Sequence, residues 1–135
     1  MTRFQMTFGA LVLVQAAHSI EEYRGRLWDS FPPARFLTGL ISLDLRKGFL
    51  VLNILVVGFG IWCFAWPVLR RWKIAVVLAW LWVGIEFFNG VGHLLWSLTQ
   101  FGYSPGVVTA PVLLMLAVYL AAQLKSTRQP RQPAA

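Results

Sequence analysis

Hydrophobic residues form four long runs along the chain, and charged residues fall almost entirely between them. The runs cover residues 4–20, 48–69, 74–98 and 107–124. Each has about 17–25 residues, the length that a helix needs to cross about 30 Å of hydrocarbon. Polar and apolar residues do not alternate as in a strand, and an open sheet would leave backbone groups unpaired in lipid. The pattern therefore predicts an all-α fold, a four-helix transmembrane bundle.

The connections between these runs differ in length and character. In the longest, residues 23–47, we expect Phe31-Pro32-Pro33 to block helix formation, and the apolar piece 36–45 either lies flat at the interface or extends the second helix. Residues 70–73 form a tight basic turn, and residues 99–106 form a short turn without Lys or Arg. We predict one membrane domain, residues 1–124, followed by a disordered basic tail, residues 125–135.

Composition supports a membrane protein and argues against a nucleic-acid partner. The chain has 135 residues, of which 58% are hydrophobic and 13% charged, whereas soluble domains carry about 25% charged residues. The net charge is +7, but the basic residues lie in loops and tails, where they suit anionic lipid headgroups. No basic face with interleaved aromatic residues is available to follow a phosphate backbone. We expect membrane lipid as the partner and leave a homo-oligomer open.

The distribution of basic residues predicts the orientation. More Lys and Arg residues lie at the two termini and in the 70–73 turn than in the other connections, which favours an inner-membrane protein with both termini in the cytoplasm. A rival interpretation starts from Arg3 and Ala16-Ala17, which make the first run similar to a secretory signal. Cleavage there would leave three spans.

Two short polar strings interrupt the hydrophobic runs and contain both histidines of the chain. Ionisable groups cost about 2.5–3.5 kcal/mol each at membrane depth, so they are usually retained for a function. Alternating crossings of the membrane place both strings at the same end of the bundle. Helical spacing then puts each set on a single face: His18, Glu21 and Glu22 in the first string, and Glu86, Asn89 and His93 in the second.

Two histidines and up to three carboxylates can build a site for one divalent metal ion. Zinc accepts His and Glu ligands beside an open position, and non-haem iron accepts two His and one carboxylate. We assign the metal ligands as His18, Glu22 and His93, with catalytic roles for Glu21 or Glu86 as the base and Asn89 as the orienting group. A metal-free alternative uses a buried Glu paired with His as general acid or base. A di-iron site would lack the Glu ligands that two further helices must supply.

Three motifs, each placed correctly relative to a span, resemble the HXXEE-domain family of small bacterial membrane proteins. They are His18-Ser-Ile-Glu21-Glu22-Tyr23, Asn89-Gly-Val-Gly-His93 and Tyr103-Ser-Pro-Gly106 with Thr109-Ala110. The family has no known function, so the resemblance implies only a multi-span protein with a metal-dependent or acid–base site. It implies functional positions at His18, Glu21, Glu22, Asn89 and His93. Glu86 is a candidate on physical grounds alone.

We predict an integral-membrane enzyme, metal-dependent through zinc or iron, that acts on a lipid-like or membrane-partitioned substrate. The alternative is a non-catalytic membrane binding protein or a small proton or cation transporter that uses the same His/Glu cluster. Haem ligation by His18 and His93 is a further alternative. In a scaffold protein, the polar groups would only specify helix packing, and Glu21 and Glu22 would be a solvated helix end beside Arg24 and Arg26.

Overall fold

The computed structural model describes residues 1–126, and these residues form helices, turns and bends without a strand. The predicted all-α class is therefore confirmed. Six α-helices follow one another within residues 1–126: α1 Arg3–Arg24, α2 Leu27–Ser30, α3 Pro32–Ile41, α4 Leu45–Cys63, α5 Ala75–Thr99 and α6 Ala110–Ser126. A π-helical segment, Phe64–Val68, prolongs α4.

Local sequence explains where the long helices begin and end. Thr2 and Gln5 form a capping box at the start of α1, each side chain accepting from the other residue's backbone N–H. Asp44 caps α4 by accepting a hydrogen bond from the backbone N–H of Lys47. Pro67 lies inside the π-helical segment, where the backbone switches to wider hydrogen bonds such as Trp72 N to Pro67 O. Proline lacks an N–H and crowds the preceding turn, which accounts for this local change.

Helices α1, α4, α5 and α6 pack around a core of apolar side chains. Trp82 is fully buried at its centre, and its ring meets Phe8 edge to face with centroids 6.3 Å apart. Gly90 lets α5 and α6 approach closely, because a Cβ there would lie 3.0 Å from Cβ of Leu114. A smaller cluster under α2 and α3 contains Trp28 and Phe49. The bundle therefore places the end of α1, the end of α5 and the start of α6 side by side.

In the described part of the chain, two helices are long and apolar enough to cross a membrane, and they match the second and third predicted runs. They are Leu45–Val68 and Ala75–Thr99. The fourth run corresponds to the shorter apolar helix Ala110–Ser126. The first run corresponds to α1, whose buried face includes polar side chains such as Gln5, Gln15 and His18. The structure thus supports two candidate spans, and a four-span bundle remains a proposal.

The long connection, residues 23–47, corrects the sequence-based prediction. Pro32 and Pro33 do not block a helix but begin α3, because the first helical turn needs no intrahelical N–H bonds and the proline φ suits it. The apolar piece does not extend the second helix, since α3 ends at Ile41 and α4 begins separately at Leu45. Of the predicted tail, Lys125 and Ser126 continue α6. Residues 127–135 lie outside the described residues.

Candidate functional site

The two histidines, which come from helices that are not neighbours in sequence, meet inside the bundle. The rings of His18 on α1 and His93 on α5 lie edge to face with centroids 4.7 Å apart. His18 is 0% and His93 2% exposed. Both imidazoles therefore face inward at a common depth, as the spacing of the two polar strings predicts.

Glu22 lies between the two imidazoles. Its Oε1 atom is 3.0 Å from His93 Nε2 and 3.3 Å from His18 Nε2. One ligand atom from each of the three residues lies within 4.8 Å of the other two. Zinc bonds of 2.0–2.1 Å imply ligand atoms about 3.3 Å apart in a tetrahedral site, so the ligand atoms that lie farthest apart would have to approach each other by up to about 1.5 Å. The donor set of two imidazole nitrogens and one carboxylate oxygen fits a divalent ion.

Thr109 defines which nitrogen of His18 carries a proton. The Thr109 hydroxyl lies 2.6 Å from His18 Nδ1 and donates to Glu21 Oε2 over 2.7 Å. Because that hydroxyl has a single proton and a carboxylate is its strongest acceptor, His18 Nδ1 must donate to Thr109. The hydrogen-bond network thus assigns the Nδ1–H tautomer to His18, as outer partners do for metal-binding histidines.

This assignment leaves an unfavourable contact at the centre of the cluster. In the neutral tautomer, the lone pair of His18 Nε2 faces the Glu22 carboxylate in a buried environment. Within residues 1–126, His18 Nε2 and His93 Nδ1 have no hydrogen-bond partner. A proton on His18 Nε2, or a cation shared with Glu22, would remove the repulsion. The geometry therefore calls for a positive charge between these groups.

Glu21 has a different environment from its neighbour Glu22. Its oxygens accept hydrogen bonds from the segment before α6: the hydroxyls of Tyr103 and Thr109 and the backbone N–H groups of Gly106, Val108 and Thr109. Burial raises the pKa of the Glu21 carboxyl, but these bonds, with Thr109 foremost, outweigh burial and hold the pKa below its usual value. Glu21 thus fastens this segment, residues 103–109, which we call the capping loop.

The capping loop covers the two imidazoles. Gly106 has a φ of +93°, and a Cβ added there would lie 2.5 Å from Cε1 of His93 and 2.8 Å from Cε1 of His18. Only glycine combines this backbone conformation with such a close approach. Pro105 packs against Gly25 just beyond the end of α1, where an added Cβ would lie 2.5 Å from the proline ring. The loop therefore closes the cluster from one side.

Glu86 lies beside the metal-ligand set without joining it. It is 0% exposed, and the Gln15 amide lies 2.9 and 3.2 Å from its two oxygens. With the amide nitrogen turned toward Glu86, Gln15 donates to both oxygens and accepts from the Ser19 hydroxyl over 3.2 Å. Asn89, one turn along α5, also interacts with the Glu86 carboxylate. Gln15 therefore gives Glu86 a partner from α1 in addition to Asn89 on its own helix.

The predicted haem alternative does not fit this geometry. Edge-to-face rings, with Glu22 reaching both Nε2 atoms, leave no gap for a porphyrin plane between His18 and His93. Phe31 lies against His93 with ring centroids 5.7 Å apart.

The sequence placed Thr109 and Gly106 at this end of the bundle but indicated no contact with the histidines. The available signal was the position of both residues just before the start of α6, where Thr109 supplies a polar side chain and Gly106 a conformationally permissive backbone.

Fold and site together define an all-α protein with two apolar helices of membrane-spanning length and a buried His/Glu cluster. Residues 9–120 match the model of the HXXEE family, described as proteins of unknown function with an HXXEE motif. The chain belongs to this family, as the three motifs led us to expect. No curated protein and no solved structure matches the chain.

Proposed function

We propose that this protein is an integral-membrane enzyme that uses a divalent metal ion, zinc or iron, held by His18, Glu22 and His93. The carrying observation is that His18 Nε2 and His93 Nε2 approach the same Glu22 oxygen, at 3.3 and 3.0 Å. Three converging donors around a point that needs positive charge are what a metal site requires.

Outward-facing apolar side chains support the membrane location. In the most apolar 18 residues of Leu45–Val68 and Ala75–Thr99, only 22% and 28% of residues are buried, whereas a core helix of a soluble protein would be mostly buried. Large exposed side chains such as Leu55, Phe88 and Leu95 face away from the bundle. We extend this to four spans, with residues 4–20 of α1 and most of α6 as the other two. The distribution of basic residues then favours cytoplasmic termini and an inner-membrane location.

Each polar residue has a role in this proposal. A bound metal would supply Lewis-acid chemistry. Thr109 fixes the His18 ring so that Nε2 points to the centre of the cluster. Glu86, held by Gln15, is the proton acceptor, and Asn89 orients the substrate or Glu86 itself. We assign Glu21 to holding the capping loop and Glu86 to the base, because the oxygens of Glu21 already accept five hydrogen bonds.

Metal content tests the first half of the proposal. Protein purified without chelators should contain about one zinc or iron ion per chain by inductively coupled plasma mass spectrometry. The variants His18→Ala and His93→Ala should lose it. Gln5→Ala is a matched control, since Gln5 is also a buried polar residue of α1 but bonds to Val68 and Leu69 at the opposite end. Wild-type protein without stoichiometric metal would remove the metal-dependent function.

Turnover tests the second half. The protein would be incubated in mixed micelles of phosphatidylglycerol and phosphatidylethanolamine, with products followed by mass spectrometry. Glu86→Gln should retain the metal and lose turnover by at least about 10²-fold, the usual contribution of a general base. Metal retention with no product in wild-type protein would contradict an enzyme acting on these lipids.

One observation favours a second candidate, a small proton or cation transporter. A proton on His18 Nε2 would satisfy the contact with Glu22 over 3.3 Å without any metal. Buried acids and imidazoles in a membrane commonly form proton pathways. In liposomes, this candidate requires proton or zinc flux that Glu22→Gln abolishes. Flux without lipid turnover would replace the enzyme proposal.

A further inference from the structure

We infer that the groove between α1 and α4 binds one acyl chain of an anionic phospholipid, whose phosphate lies against the arginines at the groove's end. This inference rests on the proposed function for the membrane location and names the substrate class that the site receives. It depends on a different surface of α1, away from the metal ligands.

The groove has the shape and lining of an acyl-chain site. Its volume is about 590 Å³, and its walls are nearly all apolar, with Ile20 from α1 facing Ile54 and Val57 of α4. Along α4 the lining extends from Leu50 to Ile61, which is about 16 Å at 1.5 Å per residue. Half of a 30 Å hydrocarbon core is about 15 Å. The groove therefore has the length of one leaflet.

A basic cavity of about 400 Å³ joins the groove at Tyr23 and Arg24. Its lining also includes Arg26 and Arg46. Arg26 pairs with Asp29 over 2.9 Å, and Arg46 donates to the Tyr23 hydroxyl over 2.8 Å. Arg24 forms no ion pair among residues 1–126. The acids near these three guanidinium groups are Asp29 and Asp44, and Asp44 also pairs with Lys47 over 3.3 Å. An excess of positive charge therefore remains where a lipid headgroup would lie.

Charge favours a lipid over a second copy of this chain as the occupant. A second copy would bring the same arginines to the contact and also carry a net charge of +7. Arginine forks match the oxygens of a phosphate group and form strong charge-assisted bonds with them. An anionic phospholipid supplies both the charge for the basic cavity and the apolar chain for the groove.

Ser19 links this groove to the proposed catalytic groups. It lines the groove, and its hydroxyl bonds to Gln15, the residue that holds Glu86. Ser19 itself is almost fully buried. A lipid in the groove would thus lie one side chain away from the polar network. This contact identifies the side from which a lipid substrate approaches the site.

Glycines provide a matched pair of variants for the test. A Cβ added at Gly58, which lines the groove, meets no atom within 4 Å, and the same holds at Gly84 on α5, outside the groove. Gly58→Leu should therefore fill the groove without straining the helix. Gly84→Leu makes the same chemical change elsewhere.

A second pair of variants tests the basic cavity. The double variant Arg24→Gln, Arg46→Gln removes two of its guanidinium groups, and the control is the double variant Arg70→Gln, Arg71→Gln at the opposite end of the bundle.

Native mass spectrometry of delipidated protein would measure binding of dioleoylphosphatidylglycerol and of dioleoylphosphatidylcholine, which share acyl chains but differ in net charge. We expect one phosphatidylglycerol per chain, bound at least about tenfold more tightly, the scale of one charge-assisted contact. Gly58→Leu and the Arg24/Arg46 double variant should each lose about tenfold, with both controls unchanged. His18→Ala should bind normally, so loss of the metal and loss of the lipid are separable failures.

Three results would overturn the inference. Equal binding of the two lipids, unaffected by the arginine variants, would mean nonspecific adsorption. Inorganic phosphate that competes at the same concentration as the lipid would reduce the site to a phosphate site. A change of oligomeric state in Gly58→Leu, with lipid binding intact, would assign the groove to a second copy of the chain.

Discussion

Glu21 and Glu22 are adjacent in sequence, yet they belong to two different regions of the molecule. Glu21 accepts hydrogen bonds from the capping loop and holds it at the end of α1. Glu22 faces inward, where two imidazoles are its partners. A turn of about 100° between consecutive helical positions separates them. The region around Glu21 holds the capping loop in place, and the region around Glu22 carries the proposed chemistry. Both acids nevertheless belong to the motif that names the family.

The largest expected effect tests the capping loop. Gly106→Ala should lower the free energy of unfolding by about 2–4 kcal/mol, because it forces a strained backbone and drives a methyl group into the imidazoles. Gly102→Ala is the control, since a Cβ there would come no closer than 3.8 Å to a neighbouring atom. Thermal unfolding in detergent measures both. Equal melting temperatures for the two variants would contradict the close contact between Gly106 and the two imidazoles.

The same substitution at the two adjacent acids should affect two different properties, the stability of the fold at Glu21 and metal binding at Glu22. Glu21→Gln should destabilise the fold by about 2 kcal/mol, since a neutral amide cannot accept all the bonds of a carboxylate. Glu22→Gln should change stability little in metal-free protein and abolish stoichiometric metal binding. Melting temperature and metal content of both variants separate the roles. Similar losses of stability with unchanged metal content would support the scaffold alternative, in which these polar groups only specify packing.

Thr109 connects the two regions and should show an intermediate effect. Thr109→Val removes the hydroxyl between His18 and Glu21, and we expect metal affinity to fall about 10–100-fold, as for other outer partners of metal ligands. Stability should fall by only about 1–2 kcal/mol. Thr109→Ser should restore both. Competition with a chromogenic chelator measures the affinity, and unchanged binding in the valine variant would refute the assigned tautomer.

The smallest expected effect is the pH dependence of the stability that Glu21 contributes by holding the capping loop. Glu21 follows the proposed first span, and its folded-state pKa lies below the usual value of 4.5. The carboxylate therefore contributes stability above that usual pKa, and the contribution is lost as the pH falls through the lower folded-state pKa. Wild-type protein should lose melting temperature more steeply than Glu21→Gln between about pH 5 and pH 3. Parallel curves would contradict the role of the Glu21 charge.

Much of the helical architecture could be predicted from the chain because the length of a hydrophobic run is a strong signal for a long apolar helix. The runs 48–69 and 74–98 correspond to Leu45–Val68 and Ala75–Thr99. The prediction that Pro32 and Pro33 block a helix was wrong, because a proline that disrupts the interior of a helix is well suited to its first turn. Periodicity does not distinguish these positions until the end of the preceding helix is known.

The meeting of His18, Glu22 and His93 was predictable from helical spacing and alternating direction, since both place the groups on inward faces at one end. The division between Glu21 and Glu22 was not, because either acid could face inward at that spacing. It depends on where the capping loop crosses the bundle. Likewise, the Gln15 contact to Glu86 requires the rotation of α1 against α5, which local pattern does not specify.

The capping loop has a consequence for biosynthesis. Thr109, the outer partner of His18, follows it by 91 residues, so a ribosome must add all of these residues after His18 before this hydrogen bond can form. A nascent chain that contains only α1 to α5 would hold both imidazoles without their cover. The hydrogen bond that orients His18, and with it any ability to retain an ion, would then arrive only with the segment that precedes α6.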